Sequence, residues 1–99
     1  MTIEMVVGLN VVDDDAYQAY REEITPMLEK CGGGFGYDFK ILKVLKSATQ
    51  APINRVFVIY FPDRNLMNTF FSDQAYLEIK QRYFEDSVTD TTIIATYER

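Results

Sequence analysis

The stretch Val56-Phe57-Val58-Ile59-Tyr60-Phe61 is apolar at every position. Successive side chains of a strand point to opposite faces of a sheet, so both faces of this strand need cover. Its β-branched and aromatic residues favour a strand, and Pro62-Asp63 ends it. The chain's own helices can cover one face. A chain of 99 residues leaves no obvious element for the other. A second copy, packed sheet to sheet with a pocket inside, supplies the missing cover.

Upstream, Phe35, Tyr37, Phe39, Ile41, Lys43 and Leu45 alternate with Gly36, Asp38, Lys40, Leu42, Val44 and Lys46. This predicts a partner strand over Phe35 to Lys46. Ser47 to Asn54, containing Pro52, is the hairpin loop between the two. At the start of the chain, Ile3, Met5, Val7, Leu9 and Val11 share one face of a first strand. Val6 and Val12 make its other face partly apolar, and Gly8 and Asn10 leave room beside it.

Asp13-Asp14-Asp15 opens a helix, as caps and as charges suited to its positive end. Tyr17, Tyr20, Ile24, Met27 and Leu28 form its buried stripe. Pro26 predicts a kink, or a restart capped by Thr25. Gly32 supplies the left-handed stop. Downstream of the opening stretch, Asp63 caps a helix with Leu66, Met67, Phe70 and Phe71 on its apolar side. Ser72-Asp73 breaks that helix, and Tyr76, Leu77, Ile79, Tyr83 and Phe84 continue the face. Glu78 and Arg82 stand one turn apart, a pairing worth about 0.2–0.5 kcal/mol. Thr91 to Tyr97 is the last strand.

The element order is βαββαβ, in a single domain over 1–99. The expected class is α+β, with a ferredoxin-like four-stranded antiparallel sheet and both helices on one face. Each aliphatic side chain left in water on the other face forgoes roughly 1.5–3 kcal/mol. A twofold partner burying on the order of 1,200–2,000 Å² removes that penalty.

The net charge of -5 argues against nucleic acid and anionic membranes, both of which call for a basic surface. No apolar run approaches the ~20 residues of a membrane span. The single Cys31 excludes an internal disulfide and fits a reducing compartment. With no signal-peptide pattern at Met1-Thr2-Ile3-Glu4, the expectation is a soluble cytoplasmic protein. Histidine is absent, so a His-based triad, a His-ligated haem and a His-containing zinc site cannot form within the chain.

Asp13-Asp14-Asp15-Ala16-Tyr17-Gln18-Ala19-Tyr20-Arg21, Pro26-Met27-Leu28 and Cys31-Gly32-Gly33 resemble the first half of one family. Val58-Ile59-Tyr60-Phe61-Pro62, Phe71-Ser72-Asp73-Gln74-Ala75-Tyr76 and Arg82 resemble its second half. The family is domain-of-unknown-function family thirteen-thirty, of the dimeric α/β-barrel superfamily. The resemblance implies a ferredoxin-like protomer and a homodimer whose sheets face each other. The superfamily includes cofactor-free monooxygenases, haem-degrading enzymes, lactone isomerases and regulatory ligand-binding domains. Many family members carry an arginine on the strand after the paired glycines. Here the stretch is Phe35-Gly36-Tyr37-Asp38-Phe39-Lys40, with Lys40 as the approximate stand-in.

Gly32-Gly33-Gly34-Phe35-Gly36 leaves a helix and enters a strand, the reverse of a dinucleotide fingerprint, so it is a helix stop. Cys31 lies at the wrong end of a helix for activation as a nucleophile. The candidate ligand-binding residues are Asn10, Tyr37, Lys40, Tyr60, Tyr76 and Arg82. Tyr37, Tyr60, Tyr76 and Tyr97 offer phenol donors, or else form an aromatic core with its hydroxyls at the rim. Asn10 is a polar strand residue beside small Gly8, or an exposed strand end. Arg82 holds an anion, or pairs at the surface with Glu78 or Asp86. No cofactor and no metal are expected. Two functions fit. One is a cofactor-free oxygenase or isomerase acting on a small aromatic or acidic metabolite. The other is a non-catalytic ligand-binding or interaction dimer.

Overall fold

A computed structural model describes residues 1–99. The strands are β1 (Ile3–Val11), β2 (Gly34–Lys40), β3 (Arg55–Phe61) and β4 (Val88–Glu98). The helices are α1 (Asp14–Lys30), α2 (Arg64–Ser72) and α3 (Gln74–Ile79), the last running into a π turn over Lys80–Phe84. The sheet order is β2-β3-β1-β4, with every pairing antiparallel. This is the ferredoxin-like α+β arrangement that the element order predicts.

The period-two pattern places the core. Ile3, Val7, Leu9 and Val11 of β1 are buried against the helices, as are Phe57, Ile59 and Phe61 of β3. They meet Tyr17, Tyr20, Ile24 and Leu28 of α1, Met67 and Phe70 of α2, and Tyr76 of α3 in one apolar cluster. The opening stretch therefore divides its side chains, with Val56, Val58 and Tyr60 half-buried on the far face.

The polar punctuation acts as its chemistry dictates. The Asp13 carboxylate accepts from the Ala16 N–H at 3.0 Å, and the Asp63 carboxylate from Leu66 N–H at 2.8 Å. Asp73 ends α2 and caps α3 through Ala75 N–H at 2.8 Å. Gly32 takes a φ of 84°, the left-handed stop that a side chain resists.

Several expectations are corrected. Helix α1 runs unbroken through Pro26, and Thr25 does not cap a restart. Its hydroxyl instead donates to the Arg21 carbonyl at 2.6 Å, one turn back. Strand β2 stops at Lys40 instead of Lys46. The last backbone bond beyond it is Ile41 N–H to the Asn54 carbonyl, after which 42–50 are exposed. A bulge at Gly36 moves Phe35 to the helix side, while Tyr37 and Phe39 point to the other face. Glu78 and Arg82 do not pair, because the π turn shifts the residues four apart out of line. Strand β4 begins at Val88, three residues before the expected start. The far face also has some cover of its own. Ile53, from the β2–β3 loop, packs over Gly8, where an added Cβ would stand 3.0 Å from its Cδ1.

Candidate functional site

A cavity of about 370 Å³ lies between the sheet and the helices. Its floor is Met5, Val7, Leu9, Phe57 and Ile59, the inward side chains of β1 and β3. Tyr17, Tyr20 and Ile24 of α1 form one wall, and Phe71, Tyr76, Lys80 and Phe84 the other. Thr91 and Ile93 of β4 line it while remaining exposed, so the cavity opens towards that sheet edge. The π turn supplies both Lys80 and Phe84. Such turns recur at functional sites because one extra residue re-aims its neighbours.

The polar groups on the wall are few. The Tyr20 and Tyr76 hydroxyls stand 2.9 Å apart, and both residues are buried. The Tyr20 ring lies 4.9 Å from that of Phe84. The Lys80 ammonium is 5.8 Å from the Phe84 ring and has no carboxylate within ion-pair distance. The Tyr17 hydroxyl accepts from Arg21 Nη1 at 3.1 Å.

Behind the Tyr17–Phe35–Phe57 wall lies a charged cluster. Arg55 grips Asp38 with two bonds of 2.7 and 2.8 Å, and Arg21 reaches the same carboxylate at 3.1 Å. The Arg21 guanidinium also sits 3.5 Å over the Phe35 ring, a cation–π contact. Partial burial pushes the Asp38 carboxyl up, but bonds and charge from Arg55 and Arg21 outweigh this and hold it below its ordinary value. This net-positive cluster fastens β2 and β3 to α1 and stiffens the wall.

Burial raises the Tyr17, Tyr20 and Tyr76 phenols above the ordinary tyrosine range; Arg21 partly offsets this at Tyr17, and Tyr76 reinforces it at Tyr20. All three are neutral at pH 7 and act as hydrogen-bonding groups, not bases. A raised folded value means their stabilisation is fully present below about pH 10 and is lost as pH rises through the folded values. Alkaline titration should ionise these three of the seven tyrosines only as helix signal disappears. Smooth titration of all seven with the helices intact would refute their burial.

The structure scatters the sequence candidates. Tyr76 lines the cavity. Asn10 lies on the far face and donates to Thr89 Oγ1 at 2.9 Å. Tyr60 is on that face too, its ring occupying the space that Gly34 leaves by lacking a Cβ. Tyr37 is exposed there, stacked on Phe39 at 5.9 Å. Lys40 ends β2 on the helix side, in a small groove with Arg55, Asn54 and Asp14. Arg82 is exposed, 5.9 Å over the Tyr83 ring, with neither Glu78 nor Asp86 as an ion-pair partner. Tyr97 donates to Glu4 at 2.9 Å at the far end of the sheet. Sequence reasoning missed Lys80 and the Arg21–Asp38–Arg55 cluster as parts of one site. Tyr20 carried a signal, an aromatic with a polar tip inside a buried stripe.

No helix is long and apolar enough to cross a membrane. No curated protein matches the sequence. Among solved structures, a protein of unknown function from Rhodopseudomonas palustris superposes with a TM-score of 0.80 at 18% identity, over 99% of this chain and 82% of that one. A dabb family protein with a ferredoxin-like fold from Mesorhizobium loti gives 0.69 at 11%, over 99% and 96%. A dimeric ferredoxin-like protein of unknown function from Jannaschia sp. CCS1 gives 0.58 at 11%, over the whole of both chains. At these identities the likeness establishes the fold alone. The family model of the domain of unknown function DUF1330 matches residues 5–97, and the chain belongs to that family.

Proposed function

We propose that this protein is a homodimer that binds a small, mostly apolar molecule in the helix-side cavity of each protomer. The cavity carries the proposal, because thirteen of its fifteen lining residues are apolar and a few polar groups face them. Its size falls in the lower part of the range of natural ligand pockets, about 300–1,000 Å³. Pairing through the far sheet face is supported by the apolar residues left there, Tyr37, Phe39, Val58 and Ile94, and by the dimeric structural neighbour. A cytoplasmic setting suits the single free thiol.

Binding is favoured over catalysis because the wall carries no carboxylate, thiol or other group suited to taking a proton. A second reading rests on Lys80. An unpaired ammonium beside the cavity suits an enolate or phenolate, the anion a cofactor-free oxygenase or isomerase handles on an aromatic or acidic metabolite. Oxygen uptake or isomer formation from a bound compound supports that reading, and recovery of every bound compound unchanged removes it.

Thermal unfolding in the presence of small aromatic acids and ketones tests the binding proposal. A ligand at a hundred times its dissociation constant stabilises by about 2.7 kcal/mol. For a domain this size that raises the midpoint by about ten degrees or more. Ile93→Trp, at the exposed rim, should shrink the shift without disturbing the core. A midpoint unmoved by every compound, or an equal shift in the variant, counts against the cavity as the site.

A further inference from the structure

We infer that the ligand of this cavity is a flat, apolar molecule ending in a carbonyl or carboxylate oxygen, which accepts the spare hydroxyl proton of the Tyr20–Tyr76 pair. The inference rests on the proposed binding function and names its ligand class. Two phenols carry two hydroxyl protons. One hydrogen bond of 2.9 Å between them uses one proton, and neither hydroxyl makes any other bond within the protein. Whichever oxygen accepts, its own proton is left without a partner. Both residues are about 95% buried, Tyr20 at 6% and Tyr76 at 5% exposure, and both line the cavity.

A buried donor left unmade is costly, so the pair selects for an acceptor inside the cavity. The remaining wall near it is aromatic, with Phe84 at 4.9 Å from Tyr20 and Phe71 at 5.5 Å from Tyr76, which favours a flat ring system. Lys80 adds a second donor and a positive charge on the same side as Phe84. A cationic head meets that charge and offers no acceptor. A bare hydrocarbon leaves the proton unspent. An oxygen acceptor satisfies the phenol, and a carboxylate also satisfies the ammonium.

A merely structural pair, tying α1 to α3, makes a different prediction from a ligand-binding one. Removing either hydroxyl breaks the tie. It also frees the other hydroxyl's proton, so a ligand acceptor keeps its donor. Removing both takes the donor away.

The test is calorimetric titration of the whole protein with 2-naphthoate, 2-acetylnaphthalene and 2-(aminomethyl)naphthalene, three heads on one ring system. Naphthoate should bind tightest, acetylnaphthalene next, and the ammonium compound at least about tenfold more weakly than naphthoate. Lys80→Met should bring naphthoate and acetylnaphthalene together. Tyr20→Phe and Tyr76→Phe singly should leave acetylnaphthalene within about twofold, whereas the double variant should lose about tenfold. Equal binding of all three compounds to the unaltered protein overturns the ligand class and leaves the cavity as a binding site. An unchanged double variant, folded by circular dichroism, does the same. Binding by none of the three overturns both. The ranking on the unaltered protein decides the ligand class even where the double variant fails to fold, and in Lys80→Met a continued preference for acetylnaphthalene over the ammonium compound assigns it to the phenol pair.

Discussion

Phe61→Ala should cost about 3–5 kcal/mol of stability, the range for truncating a fully buried phenylalanine. A domain of this kind has about 5–15 kcal/mol in all, so the variant should be marginal at room temperature. Phe61 is wholly inaccessible and pairs across the sheet with Ile3. Its ring lies 5.5 Å from that of Phe70 and 5.4 Å from that of Phe71. It thus joins the end of β3 to α2, and the void left by alanine cannot collapse without moving both. Urea denaturation followed by circular dichroism measures the loss. A cost below about 1 kcal/mol would contradict the packing of α2 on β3.

Val58→Asp should break the proposed dimer. Val58 is paired with Val6 on one side and Tyr37 on the other, on the far face of the sheet. In the separate protomer it is half-buried at a surface, so an aspartate there is hydrated and the fold survives. In a twofold sheet-to-sheet assembly each copy presents the change, and two carboxylates enter an apolar interface without partners. Uncompensated buried charge costs about 3–5 kcal/mol, and each 1.4 kcal/mol is tenfold in affinity. The dissociation constant should rise by at least about a hundredfold in sedimentation equilibrium. A variant that stays dimeric moves the interface elsewhere. A native protein that is monomeric at micromolar concentration removes the dimer altogether.

Local and periodic features of the fold were legible in the sequence. Asp13, Asp63, Asp73 and Gly32 act over three or four residues, so their roles follow from spacing. The stripe Tyr17–Tyr20–Ile24–Leu28 and the alternation in β1 and β3 name the core because burial follows the period of the element. What escaped depends on contacts distant in sequence. A bulge at Gly36 turns Phe35 away from Tyr37 and Phe39, and alternation alone cannot reveal where it slips. Asp38 meets Arg21 and Arg55 seventeen residues away on either side, Arg55 through pairing of β2 with β3 and Arg21 through packing of α1 against β2. The π turn hides in a regular apolar pattern, yet it delivers Lys80 to the cavity and leaves Arg82 outside. Polar residues on strands were read as pocket groups because the expected pocket lay between sheets. The cavity described above lies on the helix side of one protomer, and among those candidates Tyr76 faces it.

The bulge at Gly36, with two further irregularities in β4, has a consequence for how this sheet meets other chains. Gly36 is the extra residue in β2, Thr89 and Ile94 are extra residues in β4, and these are the two strands with a free edge. An unbroken edge offers a row of unpaired N–H and C=O groups on which a foreign strand can template. A bulge interrupts that row and twists it away from a straight partner. Strand-by-strand growth into filaments is therefore obstructed at both ends of the sheet, even though β4 carries the aggregation-prone run Thr91-Thr92-Ile93-Ile94-Ala95. With its edges blunted, the sheet leaves its face as the surface open to the proposed pairing of two copies.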